Sequence, residues 1–331
     1  MNKLIQEVLN SKKRIVAPLV GFPGLQLETG SIKSAQQNHV LHFRIIRQIY
    51  KRFQPDVIFP MMDLSLEANA LGRYAVFTQH ESATIPKMPF DEADKDLMKK
   101  IDITADARIR SYTDTVTMMV RELPKDVMKA AYVTGPFTLA ALLMGADDAA
   151  MATMMNPTEL HELIEFCTKQ IESFILKLIE AGAQMICILE PTGLLLGPHM
   201  WKEFSGDYVT DLISVCQTKE TFSILHICGN TMPLIHDMAK TGADALSLDS
   251  EEAGVHLPEA AKLVPDDVVI IGNINPTGKI LTGNPKEVAE EVMQLIESMK
   301  DCPNFILSTG CDLPQEVPVE NIDAFMKAGR A

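Results

Sequence analysis

The chain has no excess of positive charge: 30 Lys and Arg stand against 44 Asp and Glu, a formal net charge of −14. Nucleic acid and anionic membrane surfaces are held through basic patches, so neither is expected as the main partner. Long apolar runs are missing as well, and none reaches the ~18–20 uninterrupted apolar residues of a membrane span. The N-terminus, Met1-Asn-Lys-Leu-Ile-Gln-Glu-Val8, carries charge where a signal peptide has its apolar stretch, so a cytoplasmic location is expected. Cysteine is sparse, with six in 331 residues, and a chain of this length folds without disulfide staples. No Gly-x-Gly-x-x-Gly follows the first strand-like run, which disfavours a dinucleotide-binding open sheet. Internal repeats and low-complexity tracts are also absent.

What is present is the composition of an ordinary globular protein, 47% hydrophobic and 22% charged. Short apolar runs at 14–21, 56–63, 131–135, 184–190, 222–228, 245–249, 268–272 and 304–309 predict strands. Amphipathic segments at 35–53, 104–122, 158–182, 199–217, 231–242, 285–300 and 318–329 predict helices between them. Eight such runs alternating with helices predict a single α/β domain, a (β/α)8 TIM barrel, with extra helices in the N-terminal third across 64–130. The active site of such a barrel lies at the C-terminal ends of the strands. Asp63, Glu190, His226, Cys228 and Asp249 end predicted strands, and Cys311 follows the last one.

His226 and Cys228 are two residues apart in Phe222-Ser-Ile-Leu-His-Ile-Cys-Gly-Asn-Thr231, so on a strand they project from the same face. Cys311 arrives from a distant run, Phe305-Ile-Leu-Ser-Thr-Gly-Cys-Asp312. One imidazole and two thiolates suit Zn2+, and three protein ligands with an open position describe a catalytic site that can activate a thiol. Water, a substrate thiol or a carboxylate from Asp249, Glu251 or Glu190 could fill the fourth position. Asp63 reads either as an acid, base or orienting group, or as the cap of the following helix. Glu190, before Pro191, reads as a turn residue or a site carboxylate. The loop Gly272-Asn-Ile-Asn-Pro-Thr-Gly278 could offer backbone N–H groups to an anionic tail, although turn chemistry also explains it. Cys167, Cys187 and Cys216 read as buried hydrophobes. His39, His42, His80, His161, His199, His236 and His256 show no partner pattern.

The segments Leu225-His-Ile-Cys-Gly-Asn230, Thr241-Gly-Ala-Asp-Ala-Leu-Ser-Leu-Asp249, Ile271-Gly-Asn-Ile-Asn-Pro276 and Ser308-Thr-Gly-Cys-Asp-Leu-Pro-Gln-Glu-Val-Pro-Val-Glu-Asn321 resemble the uroporphyrinogen decarboxylase superfamily. Within it they look most like the methylcobamide:coenzyme M methyltransferase branch. The resemblance covers most of residues 1–331 and implies a (β/α)8 barrel. The decarboxylases carry two substrate-gripping arginines in an N-terminal stretch that here reads Leu19-Val-Gly-Phe-Pro-Gly-Leu-Gln-Leu-Glu28, without arginine. They also place a histidine where this chain has Cys311. Asp63 does fall in register with their catalytic aspartate, which keeps tetrapyrrole decarboxylation as the alternative activity.

In the methyltransferase branch, His-x-Cys and a later Cys are zinc ligands, and His226, Cys228 and Cys311 match them. The resemblance implies a corrinoid-dependent methyltransferase whose thiol acceptor, such as coenzyme M, is bound as thiolate and attacks a methyl-Co(III) corrinoid on a separate corrinoid protein. Cys311, Asp63 and Glu190 are the expected catalytic residues, Asn230 and Asn273 the expected cofactor contacts, and Asp249 a fourth metal ligand. A different acceptor or donor, such as tetrahydrofolate or a methoxy or methylamine compound, and a closed four-ligand zinc without catalysis are the remaining alternatives.

Overall fold

The computed structural model describes residues 3–11 and 13–331. Seven strands form one sheet: β1 (Val57–Ile58), β2 (Met128–Thr134), β3 (Met185–Leu189), β4 (Phe222–Ile227), β5 (Ala245–Leu248), β6 (Val269–Ile274) and β7 (Phe305–Thr309). They lie side by side in chain order, and every pairing is parallel. Each crossover carries helix, as parallel neighbours require. The architecture is α/β and TIM-barrel-like.

The eighth predicted strand, 14–21, is not formed. Only a single bridge, Val16 to Leu307, appears there. Ala17 N–H donates to Leu307 O (2.8 Å) and Asp56 N–H donates to Val16 O (3.0 Å), so the segment links β7 to the residue that precedes β1. Pro18 explains the interruption, because it has no N–H to give a ladder. Pro60 shortens the predicted strand 56–63 to two residues in the same way.

Alternation along the strands divides the core into two clusters. Outward residues such as Ala131, Val133, Ile186, Ile188, Leu225 and Ile270 pack under the helices. Inward residues, including Ala130, Tyr132, Met185, Cys187, Ile224, Ala245, Val269 and Ile306, form an interior cluster joined by Leu4, Ile5 and Val8 of helix Lys3–Asn10. An exposed ion pair from Lys3 to Glu220, just before β4, marks that helix as lying at the end where the strands begin. The opposite end, where the strands finish, carries the polar residues.

The predicted helices form at Ile32–Gln36 and His39–Phe53, Ala107–Glu122, Pro157–Glu180, Pro198–Trp201 continuing to Thr218, Ile235–Lys240, Pro285–Ser298 and Val319–Arg330. Short helices at Leu66–Ala70 and Glu92–Met98 fill the 64–130 excursion. Two helices that the periodicity did not reveal, Pro136–Met144 and Ala146–Met155, follow β2. Almost every residue of the first is buried, so it shows no polar face to mark it. No single helix among the described residues is long and apolar enough to cross a membrane.

Candidate metal centre

His226 is the penultimate residue of β4, and the chain leaves the strand through Cys228 and Gly229. Cys311 comes from the turn after β7. The His226 Nε2 and Cys228 Sγ atoms lie 3.2 Å apart, the two Sγ atoms 3.4 Å, and Cys311 Sγ and His226 Nε2 3.7 Å. A tetrahedral zinc with bonds of about 2.3 Å to sulfur and about 2.0 Å to nitrogen has ligand–ligand edges of about 3.5–3.8 Å. The three donors therefore already form nearly the triangular face that one zinc ion needs, and among the described residues they are the group of His, Cys, Asp and Glu able to hold a metal.

The supporting contacts favour the same use. His226 is buried, and its Nδ1 faces Ser247 Oγ at 3.0 Å and Ser247 O at 3.2 Å, which leaves Nε2 turned to the thiols. Burial pulls the His226 imidazole down, but contact with Cys311 and the charge of Asp249 outweigh it and hold the pKa above its ordinary value. Cys311 is pushed well up, first by Cys228 and then by burial, while His226 opposes both. Two thiols crowded against one imidazole cannot both ionise cheaply without a cation between them. Gly229 takes φ +89°, and a Cβ there would sit 2.6 Å from Leu194 Cδ2, so the left-handed turn beside Cys228 and the close approach of Leu194 both favour glycine.

The remaining predicted residues have these positions. Asp249 lies beside the centre but outside the three-donor group. Its Oδ2 accepts the Gly229 N–H (2.7 Å) and its Oδ1 accepts the Ser250 N–H (2.6 Å), so it braces the turn that carries Cys228. Asn273 Nδ2 donates to the carbonyls of Asp249 (2.8 Å) and Val255 (2.9 Å), and Asn230 Oδ1 accepts the Met232 N–H (3.2 Å). Glu190 is fully buried and receives the Phe137 and Thr138 N–H groups and the Thr138 hydroxyl, so it caps helix Pro136–Met144. Burial pushes its carboxyl up to about 7, against those donors. Asp63 pairs with Arg108 Nη2 (2.5 Å) and accepts from the Ser65 N–H and hydroxyl. Burial raises it in spite of that guanidinium.

Sequence reading missed several polar groups near this end. Ser247 sits opposite His226 in the β4–β5 register, a relation that spacing within one strand cannot show. Glu67 accepts the Thr134 N–H and hydroxyl at the end of β2 (2.7 and 2.8 Å) and is pushed by burial up to about 7. Asp312 follows Cys311 in the segment after β7, close enough to Tyr132 for its charge to act on that ring's hydroxyl. Its carboxylate oxygens are sealed from solvent and close no hydrogen bond, although the Gly21, Met62 and Leu313 amides and His226 lie near enough to favour the anion. Burial outweighs them and pushes Asp312 up to about 7. Its position directly after Cys311 was the available signal.

Comparison with known proteins follows the same lines. A uroporphyrinogen decarboxylase of Prochlorococcus marinus (strain MIT 9312) is 28% identical over 312 residues, spanning 91% of this chain and 86% of the relative. Methylcobamide:CoM methyltransferase MtbA of Methanosarcina acetivorans is 25% identical over 228 residues, 68% of this chain and 64% of the relative. A solved methyltransferase from Methanosarcina mazei superposes with a TM-score of 0.88 at 19% identity, covering 99% of this chain and 97% of that one, which shows a shared fold. The family model for uroporphyrinogen decarboxylase (URO-D) matches residues 25–331, the resemblance noted in the sequence is borne out, and the chain belongs to the URO-D family.

Proposed function

We propose that this chain is a zinc-dependent methyltransferase that moves a methyl group from a methyl-corrinoid, presented by a corrinoid protein at the barrel mouth, to a small thiol. The observation that carries the reading is the triangle of His226, Cys228 and Cys311, with edges of 3.2, 3.4 and 3.7 Å. A tetrapyrrole decarboxylase needs no such donor set. These three residues would hold the zinc and leave one position open, and the ion, when bound, lowers the pKa of an incoming thiol so that it is present as thiolate near neutral pH.

The chain's own residues then set the geometry. Ser247 fixes the ring of His226, Asp249 fixes the Gly229 amide and with it Cys228, and Leu194 packs against Gly229. The acceptor thiolate attacks the methyl carbon in line. The C–S bond forms as the Co–C bond breaks, and the electron pair leaves on cobalt as Co(I), so no acid is required for the leaving group. Asp63 and Glu190 have no proton to move in this scheme. Their partners are structural: an arginine for one and helix N–H groups for the other. The proposal includes a cytoplasmic setting without nucleic-acid or membrane partners.

A second reading is decarboxylation centred on Asp63, supported by the decarboxylase relative at 28% identity over 91% of the chain. Against it stand the buried ion pair that occupies Asp63 and the absence of arginine from 19–28. Methylcobalamin demethylation followed by absorbance, with a panel of thiols and tetrahydrofolate, separates the two. We expect thiol-dependent demethylation that falls at least a hundredfold in Cys311→Ala and Cys228→Ser while circular dichroism is unchanged. Uroporphyrinogen turnover by metal-free protein, lost in Asp63→Ala, would establish the second reading instead.

A further inference from the structure

Cys228 and Cys311 make the one sulfur–sulfur contact among the described residues, 3.4 Å between Sγ atoms 83 positions apart in the chain. Both lie just outside their strands, in turns beside Gly229 and Gly310. From that separation the sulfurs have only to close to the ~2.05 Å of a disulfide. We infer that this pair is a thiol–disulfide switch: hydrogen peroxide oxidises Cys228 and Cys311 to a reversible disulfide, and the centre then no longer holds a metal. The inference goes beyond methyl transfer, since the oxidation needs only the two thiols.

The other cysteines do not compete. Cys167, Cys187 and Cys216 are sealed in the core, away from an oxidant in water. Cys302 is half-buried but precedes β7, whereas Cys311 follows it, so a five-residue strand separates them. Cys228 and Cys311 are themselves only partly buried. One thiolate attacks a peroxide oxygen: an S–O bond forms, the O–O bond breaks and water leaves. The second thiolate attacks the sulfenyl sulfur, so the S–S bond forms, the S–O bond breaks and a second water leaves. Two electrons pass from sulfur to peroxide, and the two thiol protons end in the waters. Thiolate, not disulfide, is the metal ligand, so of the three donors only His226 is left.

The test treats the zinc-loaded protein, and separately the chelator-stripped protein, with stoichiometric hydrogen peroxide. We expect the thiols counted after denaturation to fall from six to four in both, with a mass loss of two hydrogens. Peptide mapping should join Cys228 to Cys311, and a chromophoric chelator should collect one zinc per disulfide formed. Dithiothreitol should restore both thiols and metal binding. Cys302→Ser should behave as wild type, and Cys311→Ser should form no intramolecular link to Cys228. A bridge through Cys187 or Cys302, sulfinic acid at Cys228 or Cys311 in place of the bridge, or zinc retained with all thiols reduced overturns the inference and leaves methyl transfer standing. A protein that never binds zinc sinks the methyl-transfer reading instead, and the stripped sample still decides whether the disulfide forms.

Discussion

Ser247 sets the orientation of His226 from a neighbouring strand. Its hydroxyl and carbonyl both face Nδ1, so Nε2 is the nitrogen left to meet a metal. In Ser247→Ala the carbonyl contact survives and the hydroxyl contact is lost. Metal affinity should fall by about tenfold, the usual cost of removing an outer partner, with the circular dichroism spectrum unchanged. Competition with a chromophoric chelator measures it. The three donors also dictate a pH dependence. Cys311 holds its proton well above the ordinary thiol value and His226 is raised too, so metal loading must expel protons. Affinity should therefore tighten as pH rises from about 6 to 8, by up to about tenfold per pH unit for each proton released, and a flat profile in the same assay would show thiolates already formed without metal. His226 and Cys228 were legible in the sequence because strand alternation is local. Ser247 and Asp312 were not, since their relation to the centre depends on register between strands and on where the chain turns after β7.

Glu190 shows how an element fixes a residue's role. Directly after β3, it meets the start of helix Pro136–Met144 and takes two of its N–H groups. Gly135 makes the approach possible, because a Cβ there would lie 2.4 Å from a Glu190 oxygen. Glu190→Ala would strand these buried donors, and we expect it to lower unfolding free energy by roughly 2–4 kcal/mol, read from urea midpoints, with metal affinity retained. Equal stability with lost transfer would instead make Glu190 a reacting group. The helix itself escaped sequence analysis because burial on all sides erased its polar stripe. The prolines at 18 and 60 had the converse effect: the runs around them are apolar enough to predict strands, yet each lacks the N–H that would extend the ladder.

At the scale of the whole molecule, the parallel order of β1 to β7 gathers residues 85 positions apart in the chain at one end of the sheet. The alternation of runs and helices predicted that end, while the six-residue segment from Cys311 to Glu316 follows a strand whose neighbour, 14–21, makes only a bridge. The centre is thus assembled by tertiary structure, and its function turns on whether one position stays open. X-ray absorption at the zinc edge, recorded before and after a thiol is added, tests that most directly. The account predicts one nitrogen and two sulfurs from His226, Cys228 and Cys311, with a third sulfur appearing on addition of the thiol. A protein that binds no zinc, or a ligand sphere that the thiol leaves unchanged, would contradict it.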